Sequence, residues 1–284
     1  MPASTPLELV RIAAGYLAEK GIEGARLDAE ILLAHALDVP RIQLYLQFDK
    51  PLETREVDAY RELVRRRARR EPAAYVTGCR EFWSLALRVD PRVLIPRPET
   101  ERLVEAALER MEVPSGRLAD LGTGSGAIAL ALLSERTGWE AVGTDVSDGA
   151  LAVAAENAGR LGLQDRFEAR RGDLVAPLGG ESFDLVVSNP PYIPSGDLAT
   201  LEPEVCGYEP RAALDGGVDG LDVLRRVAVD APRVLRPGGW LVVEFGAGQG
   251  AAVRGLLEAG GAYADVRILS DYTGRPRVAA ARRH

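Results

Sequence analysis

The stretch Asp120–Ala129, "DLGTGSGAIA", leads from an apolar strand pattern through three glycines into an apolar helix pattern. Glycines between a strand and a helix permit a tight turn, and they let the backbone approach a ligand at the helix N-terminus. Gly122, Gly124 and Ala127 also match the spacing of a dinucleotide-binding loop. The stretch therefore predicts a nucleotide-type site in an α/β domain, without deciding which nucleotide.

Strand-like and helix-like segments alternate on both sides of this loop, from about residue 98 to the C-terminus. Such alternation is typical of a doubly wound α/β sheet. The last two strand patterns are separated only by the turn Tyr272–Arg275, "YTGR". We therefore expect an antiparallel hairpin at one edge of an otherwise parallel sheet.

The N-terminal part of the chain has helical rather than strand-like patterns. Thr5, Pro6 and Glu8 form an N-terminal helix signal, and the helix is expected to end near Lys20. Further helical patterns follow at 27–37, 42–48 and 53–70, and aromatic, alternating residues then indicate a hairpin. We predict a helical bundle over 1–73, a linking β-hairpin over 74–97 and an α/β domain over 98–284.

An arginine-rich run, Arg65–Arg70, ends the last of these helical patterns. Cations near a helix C-terminus complement the helix dipole, so a solvated helix end is the simpler interpretation. Contact with an acidic or RNA-bearing partner is the alternative.

Composition excludes several classes of protein. The chain has 284 residues, a net charge of −7, two cysteines and two histidines. An acidic chain lacks the basic footprint of a protein that grips nucleic acid, and so few cysteines and histidines argue against a metal site and a disulfide framework. No apolar run approaches the ~20 residues of a membrane span, and no leader pattern precedes the first helix. We expect a cytoplasmic protein without a metal.

Two further strand patterns end in residues suited to a nucleoside. Asp145 follows the glycine loop by about twenty residues, where a carboxylate can accept hydrogen bonds from ribose hydroxyls. Capping of the next helix is its alternative role, although Ser147 and Asp148 are available for capping. Asp173 and Leu174 end the third strand pattern, at the level where an adenine ring would lie. A plain loop is the alternative there.

The stretch Phe183–Pro194, "FDLVVSNPPYIP", is an apolar strand pattern that stops at Asn189-Pro190-Pro191-Tyr192. Two consecutive prolines cannot donate to a sheet, so the strand must end in a rigid turn. Because ligands of open α/β sheets bind beyond the carboxyl ends of the strands, Asn189 is expected to face the ligand of the glycine loop.

This turn suits the methylation of a planar nitrogen. The Asn189 side-chain oxygen and the Pro190 carbonyl can accept both N–H groups of an amide or an aromatic amine, and Tyr192 can stack on it. Such acceptors stabilise the positive charge that develops on nitrogen during attack on a methyl electrophile. Prolines that only end a strand are the alternative, but they leave Asn189 and Tyr192 unexplained.

The sequence also resembles the peptide-chain release factor glutamine methyltransferases, the PrmC/HemK family. The resemblance rests on "LIPRPETE", "DLGTGSGAIAL", "DVSDGAL", "SNPPYIP", "YEPRAALDGGVDGL" and "LVVEFGAGQG", between about residue 73 and the C-terminus. It implies a Rossmann-like seven-stranded methyltransferase sheet and methylation, by S-adenosyl-L-methionine, of the glutamine side chain in the Gly-Gly-Gln loop of class-one release factors. S-adenosyl-L-homocysteine would be the product.

The resemblance also implies roles for individual residues. The cofactor would be held by Gly122, Thr123, Gly124, Ser125, Gly126, Asp145, Leu174 and Asn189. The substrate glutamine would be held by Asn189, Pro190, Pro191 and Tyr192, with Asn189, Pro190 and Tyr192 acting in catalysis. Arg97, Glu99 and Thr100 would pass near the pocket, with capping of the next helix as their alternative role. The helical N-terminal part would bind the release factor, and we expect a monomer.

Two other functions stay open at this point. An enzyme that methylates exocyclic amines of adenine or guanine in nucleic acid carries the same turn, and it would flip the base into the pocket. A nicotinamide-dependent dehydrogenase fits the glycine spacing but leaves the Asn-Pro-Pro-Tyr turn without a role. The acidic charge balance and the family-like segments favour the release factor over nucleic acid as substrate.

Overall fold

The computed structural model describes residues 5–284, which form two compact units. The first unit comprises the described residues up to Cys79 together with Glu202–Tyr208, and the second comprises Arg80–Leu201 and Glu209–His284. A short segment far along the chain therefore belongs to the N-terminal helical unit.

Eleven α-helices lie within the described residues, and several 3-10 turns extend or connect them. In chain order the helices are α1 (Pro6–Glu19), α2 (Ala25–Ala36), α3 (Arg41–Leu46), α4 (Thr54–Ala68), α5 (Ala73–Thr77), α6 (Glu101–Leu108), α7 (Ala127–Glu135), α8 (Asp148–Arg160), α9 (Pro203–Tyr208), α10 (Asp222–Asp230) and α11 (Gly250–Ala259).

The part of the chain from residue 5 onward also has nine strands, which form a small hairpin and one large sheet. The strands are β1 (Cys79–Phe82), β2 (Leu85–Arg88), β3 (Ser115–Leu121), β4 (Gly138–Asp145), β5 (Phe167–Arg171), β6 (Phe183–Ser188), β7 (Leu235–Glu244), β8 (Tyr263–Ser270) and β9 (Pro276–Arg283).

The first unit is a bundle of helices packed around an apolar core. Thr5 caps α1, because its hydroxyl accepts a hydrogen bond from the Glu8 backbone N–H at 3.4 Å. Leu17, Leu32 and Leu33 are fully buried, and the Tyr60 hydroxyl donates to the Ala29 carbonyl at 3.1 Å. The apolar stripes of α1, α2 and α4 therefore meet in one core, as the helical periodicity predicted.

The arginine run at the end of α4 is partly internal, with Arg65 and Arg69 exposed and Arg67 buried. Arg67 is 5 % exposed, and it donates to Asp28 at 2.7 Å and to Glu204 of α9 at 2.8 Å. Arg70 donates to the second oxygen of Glu204 at 2.7 Å. Burial would raise the pKa of Glu204, but the two arginines and a backbone N–H lower it overall. The prediction of a solvated helix end is wrong for Arg67 and Arg70, because a buried acid from distant sequence pairs with them.

The second unit is built on a seven-stranded sheet in the order β5-β4-β3-β6-β7-β9-β8. Strands β3 to β7 are parallel, and β9 lies antiparallel between β7 and β8. Two apolar clusters pack against this sheet, and most of their members come from its strands and from the helices beside it. The predicted Rossmann-like seven-stranded fold with an edge hairpin is confirmed.

The strand order reverses between β3 and β6, because the chain proceeds from β3 to β4 and β5 on one side and from β6 to β7 on the other. Parallel neighbours place their carboxyl ends at the same edge, so the ends of β3 and β6 lie side by side at this switch point. Ligands of open α/β sheets bind at such a position.

Two segments have more helix than their sequence suggested. Residues 73–77 form α5, so the hairpin begins only at Cys79, after Gly78 ends the helix in the left-handed conformation. The region from Ile193 to Gly220, whose prolines and glycines show no periodicity and predict an irregular loop, also contains α9 and two 3-10 turns. Helix α5 opens an aromatic, alternating stretch and α9 lies among prolines and glycines, so neither shows a helical pattern.

Candidate active site

The glycine loop leads from β3 into α7 in a conformation that favours glycine. The φ angles of Gly122, Gly124 and Gly126 are 73°, 55° and 81°, in the left-handed region. The Gly122 and Thr123 backbone N–H groups both donate to the Thr144 carbonyl of β4, at 2.8 and 2.9 Å. The loop is thereby fastened to the neighbouring strand.

Asp145 lies at the end of β4 and connects two parts of the loop region. One carboxylate oxygen accepts from the Gly124 N–H at 3.1 Å, and the other accepts from the Ser147 N–H at 2.9 Å. Ser147, not Asp145, caps α8 through its own hydroxyl. A carboxylate offers about four acceptor positions, so Asp145 retains capacity for ribose hydroxyls.

Asp120 is a buried acid beneath the loop that the sequence interpretation missed. It is fully buried, and its Oδ2 accepts from the Thr123 hydroxyl at 2.8 Å. Its Oδ1 has no hydrogen-bond partner within residues 5–284. Burial raises the pKa of Asp120 to about 7, and the nearby charge of Asp145 adds to the rise. The sequence signal was its place as the last polar residue of an apolar strand, two residues before Gly122.

The other proposed cofactor residues differ in how far they face the loop surface. Thr123 is buried and turns its hydroxyl to Asp120, and Ser125 is buried with its carbonyl bonded to Asn157 at 2.9 Å. Leu174 has a φ of 50° and is 8 % exposed, with its side chain in an apolar cluster. Its neighbour Asp173 pairs with Arg226 of α10.

The Asn-Pro-Pro-Tyr turn follows β6 beside the glycine loop. The Asn189 Nδ2 donates to the Thr100 hydroxyl oxygen at 3.1 Å. Within residues 5–284, neither the Asn189 Oδ1 nor the Pro190 carbonyl oxygen accepts a hydrogen bond. Two neighbouring acceptors are therefore available to a ligand, and their use by a substrate stays a prediction.

Tyr192 turns its hydroxyl towards a second buried acid, Glu244, at the end of β7. The hydroxyl lies 3.3 Å from Oε1 of Glu244, and burial raises the pKa of Tyr192 well above its usual value. Glu244 is 1 % exposed, and burial raises its pKa to about 7. The sequence offered one signal for Glu244, an acidic residue ending the apolar run "LVVE".

The segment before α6 contributes unequally to the site. Thr100 is 4 % exposed and contacts Asn189, whereas Glu99 is exposed. Arg97 donates to Glu209 at 2.6 Å, and the Ile95 N–H donates to the same carboxylate at 3.2 Å. Glu209 thus fastens the segment in place, a role that no local sequence pattern indicated. Pro191, the remaining turn residue, is half-buried.

The features around the glycine loop fit a cationic nucleoside. A Cβ added at Gly122 or Gly124 would meet no protein atom within 4 Å, so the backbone faces open space. Asp145 supplies acceptors at the strand end, and the unpartnered Oδ1 of Asp120 lies below the loop. Among residues 5–284, no group of three or more His, Cys, Asp or Glu side chains is arranged to hold a metal ion.

A glycine loop and an Asn-Pro-Pro-Tyr turn at the switch point of this sheet define a methyltransferase by class. A methyltransferase from Pyrococcus furiosus shares the fold, with a TM-score of 0.52 and 16 % identity over 70 % of this chain and 88 % of that chain. Family profiles described as "PrmC N-terminal domain" and "Methyltransferase small domain" match residues 8–78 and 100–201.

Curated relatives narrow this class to one family. A protein of Geobacter sulfurreducens named release factor glutamine methyltransferase is 50 % identical, over 94 % of this chain and 93 % of its own length. Another of the same name, from Cereibacter sphaeroides, is 46 % identical over 97 % of both chains. The chain belongs to the release factor glutamine methyltransferase family, which confirms the resemblance found in the sequence. These relatives favour neither the nucleic-acid enzyme nor the dehydrogenase.

Among residues 5–284, no helix combines the length and the apolar character that crossing a bilayer requires.

Proposed function

We propose that this protein transfers a methyl group from S-adenosyl-L-methionine to the side-chain amide nitrogen, N5, of the glutamine in the Gly-Gly-Gln motif of class-one peptide chain release factors. The observation that carries the proposal is the pair of unfilled acceptors at the end of β6, the Asn189 Oδ1 and the Pro190 carbonyl. A primary amide has two N–H donors on one nitrogen, and two adjacent acceptors match that pattern.

The cofactor would be held around the glycine loop. Gly122 and Gly124 would let its backbone approach, and Asp145 would accept hydrogen bonds from the ribose hydroxyls. A positively charged ligand would favour the ionised form of Asp120, which would then add negative charge beneath it. Leu174 stays a predicted neighbour of the adenine, through the edge of its largely buried side chain.

Bound S-adenosyl-L-methionine supplies a methyl group on a positively charged sulfur, and S-adenosyl-L-homocysteine is left after transfer. The protein's own part is to orient the amide nitrogen. Asn189 and Pro190 would accept its two N–H groups, which turns the nitrogen lone pair towards the methyl carbon and stabilises the developing positive charge. Once the nitrogen has gained the methyl group, one N–H proton is released to solvent and the amide is neutral again.

Rigidity of the turn supports this role. Two prolines fix the backbone beside Asn189, and the Tyr192 carbonyl accepts from the Gln249 side chain at 3.0 Å. Positioning of two bound reactants can lower a barrier by up to ~7–11 kcal/mol. With the Tyr192 hydroxyl directed to Glu244, its ring remains the element that would stack on the substrate amide.

We further propose that the N-terminal helical unit helps to bind the release factor, and that the protein acts as a cytoplasmic monomer without a metal. The exposed apolar side chains of α3, Ile42, Tyr45 and Leu46, offer a surface for such a contact.

Mass spectrometry tests the proposed reaction. The protein is incubated with S-adenosyl-L-methionine and a class-one release factor, and peptides carrying the Gly-Gly-Gln motif are analysed. We expect one added methyl group on the glutamine, and none when that glutamine is replaced by alanine. Parallel incubations with DNA and RNA serve as controls, and label found only in nucleic acid would overturn the proposal.

A further inference from the structure

We propose that Glu244 and Thr100 are positioning residues that set the side-chain orientation of Asn189, so that its amide oxygen faces the substrate. This inference rests on the function proposed above, because it gives the oxygen of Asn189 its importance. It concerns three side chains brought together from β7, from the start of α6 and from the turn after β6.

The geometry brings these side chains to one edge of the sheet. Ser188 pairs with Val243 in the parallel register of β6 and β7, so Asn189 and Glu244 lie at neighbouring strand ends. Thr100 contacts Asn189 through the 3.1 Å hydrogen bond from Nδ2. Glu244 and Thr100 are 1 % and 4 % exposed, so water does not compete freely for their polar atoms.

The argument depends on the single proton of the Thr100 hydroxyl. A hydroxyl donates one hydrogen bond and can accept others, whereas an ionised carboxylate only accepts. If Thr100 donates to Glu244, its oxygen can only accept from Asn189. Asn189 must then present Nδ2 to Thr100 and Oδ1 to the opposite side, which is the orientation that the structure has.

Glu244 has an acceptor available for that proton. Its Oε1 receives the Tyr192 hydroxyl, while its buried Oε2 has no hydrogen-bond partner within residues 5–284. The Thr100 hydroxyl, bonded to Asn189 at the neighbouring strand end, lowers the pKa of this carboxyl against the larger effect of burial. An unfilled buried acceptor is costly, so a turn of this hydroxyl towards Glu244 is favourable.

The Thr100 hydroxyl does not cap helix α6. Thr100 stands at the N-cap position of α6, yet its side chain makes no capping hydrogen bond. The alternative role weighed from the sequence, capping of this helix, is therefore not performed by the Thr100 side chain. Its hydroxyl remains available to connect Asn189 with Glu244.

We call the hydrogen-bonded connection from Glu244 through Thr100 to Asn189 the relay. The ionisation of Glu244 should control it. Burial raises its pKa to about 7, the Thr100 and Tyr192 hydroxyls and the charge of Arg277 on β9 oppose the rise, and Glu99 adds to it. Above that pH the carboxylate fixes Thr100 as a donor. Below it, protonated Glu244 can itself donate to Thr100, which frees Thr100 to donate to Asn189 and permits the amide to flip.

Kinetics of three variants of the full chain test the relay. We expect Glu244→Gln and Thr100→Val each to lower kcat about tenfold while KM for the release factor stays within about threefold, because alignment is lost and the binding surface is not. The double variant should be little worse than either single one, since both remove the same connection. Thr100→Ser should restore most of the activity that Thr100→Val loses.

The pH profile gives a second kinetic criterion. In the wild type, kcat should decrease as the pH falls through about 7. In Glu244→Gln that decrease should be absent. A double variant whose losses multiply to about a hundredfold, or an unchanged pH profile in Glu244→Gln, would overturn the relay.

Nuclear magnetic resonance tests the relay without any substrate. The Asn189 side-chain NH₂ signals are identified by their loss in Asn189→Ala, and we expect them to shift with a midpoint near pH 7 in the wild type. They should not shift in Glu244→Gln. They should still shift in Asp120→Asn, which removes the other buried carboxyl whose pKa is raised to about 7.

The two readouts separate the relay from the proposed function. Asn189 signals that ignore the ionisation of Glu244 would refute the relay even in an active enzyme. A wild-type protein that methylates no release factor would refute the proposed function, while the resonances would still decide how Asn189 is oriented.

Discussion

The glycine loop and the Asn-Pro-Pro-Tyr turn lie at neighbouring strand ends, and each has a buried acid behind it. Below the loop, Asp120 bonds to Thr123, only three residues away. Behind the turn, Glu244 receives the hydroxyl of Tyr192, which is 52 residues away in sequence. Side-chain partners of the loop lie within 32 residues of it in sequence, whereas the turn depends on side chains 52 and 89 residues away.

This difference separates the general function of the loop, nucleoside binding, from the specific function of the turn, its reaction chemistry. A loop shaped by its own glycines can recur wherever a nucleoside is bound, and it leaves the reaction undefined. A turn whose asparagine is oriented by Thr100 acquires a particular chemistry from its neighbours. We therefore expect changes at the turn to affect turnover, and changes at the loop to affect cofactor affinity.

The largest expected effect is that of Asn189→Ala on turnover. Removing the side-chain acceptor should lower kcat by about two orders of magnitude or more, as does loss of one group that stabilises transition-state charge. The dissociation constant for S-adenosyl-L-methionine should stay within about threefold of the wild-type value, because the glycine loop is untouched. Single-turnover methylation and calorimetric titration measure the two quantities, and unchanged turnover would contradict the role of Asn189.

For Gly124→Ala we expect weaker cofactor binding rather than a large loss of turnover. The Gly124 φ of 55° is unfavourable for alanine by about 1–2 kcal/mol, and the added Cβ would occupy open space that we assign to the cofactor. The dissociation constant for S-adenosyl-L-methionine should rise at least about tenfold, with a smaller change in kcat at saturation. Titration calorimetry with the cofactor measures this change.

Gly159→Ala in α8 is the matched control for that substitution. A Cβ at Gly159 also meets no atom within 4 Å, but Gly159 lies inside a helix, where alanine stabilises by roughly 0.5–1 kcal/mol. Equal losses of cofactor affinity in Gly124→Ala and Gly159→Ala would contradict the assignment of the space beside Gly124 to the cofactor.

A smaller effect is expected on the pH dependence of stability. The pKa values of Asp120 and Glu244 are raised to about 7, above the ~4 of unfolded chains, so the folded state retains their protons longer. Their contribution to the free energy of unfolding is fully present below about pH 4 and is lost as the pH rises to about 7. Asp120→Asn and Glu244→Gln should each flatten this part of the profile.

Urea unfolding between pH 5 and 8 measures that slope. Glu204 has a lowered pKa, so its contribution has the opposite sign and is lost as the pH falls through its folded-state value. The range from pH 5 to 8 lies above the pH at which the contribution of Glu204 is lost. Variants whose slope equals that of the wild type would show that these acids do not retain their protons in the folded protein.

Much of the fold could be predicted from local patterns. The Thr5 cap, the strand before Gly122 and the proline stop after Ser188 each depend on residues adjacent in sequence, and the structure contains all three. Helices α5 and α9 were not predicted, because α5 opens an aromatic, alternating stretch and α9 lies among prolines and glycines, so neither shows a helical pattern. The ion pairs of Arg67 and Arg70 were not predicted either, because their partner Glu204 lies 137 residues from Arg67.

The candidate site divides in the same way. The glycines, Asp145 and Asn189 were predicted because each occupies a recognisable position at the end of a strand. Thr100 could be assigned to the site only through the family resemblance, and Asp120, Glu209 and Glu244 were not assigned at all. An acidic residue beside an apolar run does not by itself reveal whether it will be buried, or next to what.

The sequence by itself determined the alternation of strands and helices, the glycine loop, the rigid turn and the family, because those properties belong to short contiguous segments. Only the tertiary structure decided which atoms of the turn are left unpaired and which acids stand behind it. The order of the strands brings Glu244 and Asn189 to one edge, where Glu244 is buried away from the water that would otherwise satisfy it and Asn189 is half-buried. The chemistry of both side chains follows from that shared position.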